Sequence, residues 1–175
     1  MDGLLIVDKP RGVSSFNVIR DVRKEYGIRA VGHIGTLDPE ASGVLPILVG
    51  KATKLSDLLM LHDKDYIAEI TLGIKTDSGD IEGNIIERDD NNQILTVLNS
   101  FKGHSKQIPP MYSAIKIDGK KLYELARNGE CIEREARDIF IENIELLDFD
   151  GKVIKYKVTC SKGTYIRVLS EDIAE

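Results

Sequence analysis

Apolar positions along this chain recur with two periods, and the switches between them predict a mixed order of strands and helices. Residues 4–7 form a short apolar run, read as a buried strand, and Asp8-Lys9-Pro10-Arg11-Gly12 turns away from it. Ser14 or Ser15 can cap a helix that runs to about Tyr26, with Gly27 ending it. Phe16, Ile19, Val22 and Tyr26 fall on one face of that helix, and Arg20, Arg23 and Lys24 fall largely elsewhere. Residues 44–49 read as a strand. Residues 51–61 read as a helix facing Ala52, Leu55, Leu58 and Leu59 inward, and 66–72 as a strand. The stretch 77–90 is acidic, rich in turn residues and expected to be exposed. A short helix at 94–101 follows. Pro109-Pro110 then leads into a strand at 112–117, turned by Asp118-Gly119 and followed by helix Leu122–Arg127. Two strands, 139–147 and Val153–Cys160, are joined by Asp150-Gly151. In the second, Tyr156, Val158 and Cys160 face one way, and Lys155, Lys157 and Thr159 the other. A helix starts at Tyr165 with Ile166, Leu169 and Ile173, and the chain reaches Glu175 with no stop signal, as if cut rather than finished.

Bulk composition changes this picture little. The 175 residues, 42% hydrophobic and 30% charged, suit a globular protein with a sizeable core. No apolar stretch is long enough to span a bilayer, and residues 1–8 lack the basic start of a signal peptide, so a cytoplasmic protein is expected. Cys131 and Cys160 form no C-x-x-C pair and have no histidine close by, which argues against a zinc site and places Cys160 in the core. The net charge of −5 argues against an indiscriminate polyanion binder. The charge is uneven, however. Residues 61–100 carry three Lys/Arg against nine Asp/Glu, and residues 101–130 carry six against three, so a basic face can coexist with an acidic total.

The chemistry concentrates in residues 32–46, where Asp38 and Glu40 lie among glycines and prolines. Asp38 directly precedes Pro39, which restricts its backbone. An acid held in this way is a better candidate for chemistry than one on a flexible tip, although a tight turn that happens to contain Asp reads the same locally. His33, Tyr66, Tyr165, Arg167 and Lys9 complete the candidate set, and each has a plain alternative. His33 can bond its own loop, Tyr66 can be core, and Lys9 can pair with Asp8. A guanidinium on the apolar segment of Arg167 needs a carboxylate, for which Asp38 is available. No P-loop, dinucleotide fingerprint, H-E-x-x-H or G-x-S-x-G motif is present, so the expected chemistry is cofactor-free acid–base or nucleophilic work by Asp38.

Gly32-His33-Ile34-Gly35-Thr36-Leu37-Asp38-Pro39 resembles the catalytic signature of the TruB family of tRNA pseudouridine synthases. Four further segments match in order. They are Asp8-Lys9-Pro10 with Gly12 and Ser14-Ser15; Lys64-Asp65-Tyr66; Pro109-Pro110-Met111-Tyr112-Ser113-Ala114 with Gly119-Lys120-Lys121-Leu122-Tyr123; and Ser161-Lys162-Gly163-Thr164-Tyr165-Ile166-Arg167. The resemblance implies an α+β pseudouridine synthase fold, a mixed and mainly antiparallel sheet with flanking helices and loops, with residues 1–175 forming the catalytic domain. It implies isomerisation of uridine 55 in the T-loop of tRNA, with the base flipped out and no cofactor or metal.

The resemblance also implies roles. Asp38 is the essential carboxylate, and Arg167 its partner, whose charge favours the ionised acid. Tyr66 stacks on the uracil and helps remove the C5 proton, and Tyr165 lines the same pocket. His33 contacts or replaces neighbouring bases, and Lys9 braces the site. The helix 14–26 and the Lys116, Lys120, Lys121 cluster are candidates for phosphate contacts. A monomer acting on tRNA, without a membrane or an obligate protein partner, is expected. Family members continue well past the position of Glu175, completing the catalytic domain and adding a small RNA-binding domain often of the PUA type. Two alternatives stand beside this reading: a module that binds or remodels the T-loop without turnover, and a related synthase, such as a guide-RNA-dependent one, acting on another RNA.

Overall fold

A computed structural model describes residues 1–60, 62–80, 85–88 and 97–175. The chain divides into two units, Met1–His62 and Asp63–Glu175. In the first, strands β1 (Gly3–Lys9), β2 (Val31–His33) and β3 (Gly43–Val49) form an antiparallel sheet in the order β1-β3-β2. Helix α1 (Ser15–Tyr26) starts where Ser14 Oγ accepts the Asn17 N–H at 3.1 Å and stops where Gly27 turns left-handed at φ 63°. Val18 and Ile19 of α1 are buried with Val31, Leu45, Ile47 and Val49 of the sheet, and Val22 packs against them.

The buried stripe of α1 is therefore Ser15, Val18, Ile19 and Val22, not the stripe through Phe16 and Tyr26. Phe16 is 63% exposed and Tyr26 50%. The phase is set by a polar residue. Ser15 is 2% exposed, because its hydroxyl finds two main-chain partners inside. Strand β1 is half-buried rather than buried, with Leu4 and Ile6 on its outer face. The segment after β3 also departs from the amphipathic reading. A 3₁₀ turn over Gly50–Leu55 precedes one α-turn, α2 (Ser56–Leu59), and this change of period leaves Leu55 and Leu58 exposed.

In the second unit, β4 (Lys64–Thr71), β7 (Gly103–Gln107), β10 (Arg137–Phe149) and β11 (Val153–Cys160) form an antiparallel sheet in the order β4-β11-β10-β7. Tyr156, Val158 and Cys160 face its core, as their alternation predicts, with Ile70, Ile139, Ile141, Ile144 and Ile154. On the opposite face Lys155 pairs with Glu69, and Lys157 with Asp65, each at 3.0 Å. The β10–β11 turn is closed by Asp150, whose Oδ1 accepts the Lys152 and Val153 N–H groups. These bonds hold its carboxyl below the usual range. Helix α4 (Ile166–Ala174) covers the core side with Leu169 and Ile173.

Two small hairpins complete the unit. In one, β5 (Ile74–Thr76) pairs with β6 (Ile85–Arg88), so the acidic stretch contains a strand. Residues 78–80 are half-buried rather than exposed. The predicted strand at 112–117 shortens to β8 (Lys116–Ile117), which pairs with β9 (Lys120–Lys121) across Asp118 (φ 51°) and Gly119. Helix α3 (Leu122–Arg127) follows as predicted. Of the helix expected at 94–101, only a 3₁₀ turn over Leu98–Phe101 is seen, and 94–96 lie outside the described residues.

Candidate active site

The loop that carries Asp38 is held by the segment that leaves β1. Lys9, the last residue of β1, is 0% exposed, and its ammonium donates to Pro10 O at 2.9 Å, Val13 O at 2.6 Å and Pro39 O at 3.1 Å. A buried ammonium without partners would cost several kcal/mol, and three carbonyls meet that need. Burial nevertheless pushes the Lys9 ammonium below its ordinary value, against the opposing pull of the Glu40 and Asp38 carboxylates. Gly12 N adds a second bond to Pro39 O at 2.8 Å.

Ser15 holds the other side of Asp38. Its hydroxyl donates to Leu37 O at 2.9 Å and accepts from Leu37 N at 3.0 Å. Asp38 O accepts from Ala41 N at 3.1 Å. The main chain on both sides of Asp38 is thus tied down by buried groups, and Arg11 latches the outside through Glu40 O at 3.1 Å. His33 Nδ1 donates to Gly35 O at 2.5 Å, so it does bond its own loop.

In the second unit, Arg167 lies in the first turn of α4 and is engaged on both terminal nitrogens. Nη1 donates to Ser78 O at 2.9 Å and Nη2 to Tyr112 O at 2.8 Å, with Asp80 Oδ2 4.0 Å from Nη1. Residues 76–80 form a tight turn in which Thr76 Oγ1 donates to Asp80 O and Ser78 Oγ to Asp80 Oδ1. The turn lies close on α4. A Cβ at Gly79 (φ +72°) would fall 2.7 Å from Glu171 Oε1. Tyr165, just before α4, has its main chain held by Gln107 of β7, which is 4% exposed. Tyr66 lies on β4 opposite Val158 and packs against the sheet core.

The family described as TruB family pseudouridylate synthase (N terminal domain) matches residues 23–166. The chain belongs to the TruB family. A TruB-family relative, the tRNA pseudouridine synthase B of Hydrogenovibrio crunogenus, is 48% identical over 180 residues, covering 100% of this chain and 59% of its own length. The tRNA pseudouridine synthase B of Clostridium novyi is 51% identical over 177 residues, covering 99% of this chain and 61% of its own. This chain therefore spans about 60% of the length of these relatives. Among solved structures, a crystal structure of a Cbf5-Nop10-Gar1 complex contains a chain that matches 98% of this one and 43% of its own length, with a TM-score of 0.73 and 31% identity. The fold is that of the pseudouridine synthases, α+β and mainly antiparallel.

Against this TruB-family fold, the candidate residues sort by unit. Lys9, His33 and Asp38 lie in the first, and Tyr66, Tyr165, Arg167, Lys120 and Lys121 in the second. The β8–β9 hairpin puts Lys116 and Lys121 opposite each other, and Lys121 and Arg127 both lie over the Tyr123 ring. Sequence reasoning passed over the loop-holding role of Ser15, the Gln107 clamp, and the contacts of Ser78, Asp80 and Tyr112 with Arg167. Four of these five contacts run through main-chain atoms, which side-chain patterns do not reveal. The visible signal was Ser15, which shares the register of Val18, Ile19 and Val22 in α1; β7 reads Gly-His-Ser-Lys-Gln, with no apolar alternation to mark Gln107. Among the described residues, no group of three or more His, Cys, Asp or Glu side chains could hold a metal ion, and no helix is long and apolar enough to cross a membrane.

Proposed function

We propose that this chain is the catalytic part of an enzyme that isomerises uridine 55 in the T-loop of tRNA to pseudouridine. The reaction breaks the bond between uracil N1 and ribose C1′ and forms one between C5 and C1′. A proton leaves C5 and one is gained at N1. The composition of the nucleoside is unchanged and nothing is oxidised or reduced, so acid–base and nucleophilic groups suffice.

The observation that carries the reading is the loop around Asp38, in a chain of the TruB family. The main-chain groups of Leu37, Asp38 and Pro39 are each bonded, by Ser15, Ala41, Lys9 and Gly12. Whether the carboxylate attacks C1′, attacks the base or removes a ribose proton, it must be presented at near-attack distance, and rigidity serves all three routes. In this reading Tyr66 stacks on the flipped uracil and assists loss of the C5 proton, Tyr165 and Arg167 line the pocket, and His33 takes up space among the neighbouring bases. Lys9 acts by holding the loop, and Lys120 and Lys121 meet phosphates. The enzyme acts as a monomer in the cytoplasm. That the relatives named above are tRNA pseudouridine synthases supports tRNA as the substrate.

The test is release of tritium from tRNA labelled at uridine C5. Asp38→Asn is expected to abolish release while tRNA binding stays near that of the parent protein. Turnover retained by Asp38→Asn would sink the assignment. Binding without turnover by the parent protein would favour a T-loop-remodelling module, and turnover only with a guide RNA would favour the guided branch.

A further inference from the structure

We propose that Gln107 is a positioning residue for the uridine pocket, setting the place of Tyr165 and Arg167 through the main chain of Tyr165. The proposal rests on the functional reading above. Gln107 ends β7 and is 4% exposed. A buried primary amide is costly unless both its ends find partners. Here both partners belong to one residue. Gln107 Oε1 accepts the Tyr165 N–H at 2.8 Å, and Gln107 Nε2 donates to Tyr165 O at 3.1 Å. The side chain thus pairs with Tyr165 as a neighbouring strand would, although Tyr165 belongs to no strand.

That residue is a junction. Tyr165 is extended (φ −95°, ψ 110°) and precedes α4 with no side-chain cap of its own, and its carbonyl also accepts the Leu169 N–H at 3.0 Å. Whatever fixes the plane of its peptide groups fixes the direction in which α4 starts. Arg167, two residues on, then reaches Ser78 O and Tyr112 O. Tyr112 follows Gln107 in the same segment, so one stretch of chain grips the start of α4 twice, by a side chain at Gln107 and by a carbonyl at Tyr112. A residue needed only for packing there could be apolar. The observed geometry needs a donor and an acceptor in one plane, and glutamine supplies both.

The experiment uses the full-length protein with Gln107→Met, similar in volume without the amide, and Gln107→Glu, the same shape with acceptors only while ionised. Single-turnover pseudouridine formation at saturating tRNA, tRNA affinity and the thermal midpoint are measured for each, well below that midpoint. Gln107→Met is expected to lower the single-turnover rate by about 10- to 100-fold while affinity changes by less than about threefold. For Gln107→Glu, the rate relative to the parent is expected to rise as pH falls from about 9 to about 6, because the protonated acid regains a donor for Tyr165 O. A merely structural role would not produce that pH-dependent ratio. Parent-like rates in both variants would overturn the proposal, as would a loss carried wholly by tRNA affinity or a flat pH ratio alongside an impaired Gln107→Met. The parent protein and Asp38→Asn are run beside them. Failure of the parent to turn over would overturn the functional reading and this proposal together, whereas an active parent with indifferent Gln107 variants would overturn this proposal alone.

Discussion

Ser14 and Ser15 are adjacent, have similar calculable worth to stability, and differ in what they hold. Ser14 Oγ caps α1 through the Asn17 N–H. Replacing an N-cap serine by alanine costs about 0.5–2 kcal/mol. Ser15 Oγ makes two neutral hydrogen bonds, at 2.9 and 3.0 Å, to the carbonyl and N–H of Leu37. At about 0.5–1.5 kcal/mol each, their loss costs about 1–3 kcal/mol. For a chain of this size, 1 kcal/mol corresponds to about 2–4 °C in the unfolding midpoint. Ser14→Ala and Ser15→Ala should therefore lower the thermal midpoint by comparable amounts, a few degrees each. Their effects on catalysis should diverge. Leu37 directly precedes Asp38, the proposed catalytic carboxylate, and a small displacement of a reacting group can cost about 100-fold in rate. Ser15→Ala is expected to reduce single-turnover pseudouridine formation by at least about tenfold at a temperature where both variants are folded, while Ser14→Ala stays near the parent rate. Equal rate losses in the two variants, or a parent-like rate in Ser15→Ala, would refute the argument that the α1 hydroxyl holds the Asp38 loop in working geometry.

Two other outcomes follow from the same structure. Lys120→Ala/Lys121→Ala should weaken tRNA binding and flatten the plot of log affinity against log salt by about 1.5, the release expected for two phosphate contacts; an unchanged slope would remove this hairpin from the RNA face. Tyr156, 0% exposed with its hydroxyl 2.8 Å from Ser170 Oγ, is pushed up to about 12 by burial. The unfolded chain ionises this phenol from about pH 10 while the folded chain keeps its proton, so stability falls as pH rises between about 10 and about 12, by at most about 1.4 kcal/mol per pH unit. Tyr156→Phe should be less stable at neutral pH and show a shallower alkaline decline in urea unfolding; an identical decline would place the cause elsewhere.

Elements whose signals are local were legible in the sequence. Gly27 ended α1, Leu122–Arg127 formed a helix, and the alternation of Tyr156, Val158 and Cys160 marked the core face of β11. What escaped depends on partners distant in sequence. Ser15 read as one of two possible caps for α1, and only the return of Leu37 beside it explains a buried hydroxyl. The same displacement put the predicted stripe of α1 through Phe16 and Tyr26. The stretch 77–90 was read as exposed because it is acidic and rich in turn residues, but the guanidinium of Arg167 and the close approach of α4 draw residues 78–80 in. Of the candidate site, the proposed side chains could be named from the sequence and their supports could not, because those supports act mostly on peptide groups.

The pairing of β4 with β11 sets Lys64 against Cys160 and Thr71 against Val153. Among the described strands of the second unit, this ladder joins the most distant stretches of chain, whereas β10 and β11 meet across a short turn. Closing a long loop costs more chain entropy than closing a hairpin, so we expect β10–β11 to form early during folding and β4 to dock late. Tyr66 rides on β4, and on this order it reaches its place opposite Val158 only in the last stage of assembly. A substitution that slows this docking would therefore delay the arrival of Tyr66, the proposed stacking residue, while leaving formation of the β10–β11 hairpin unchanged.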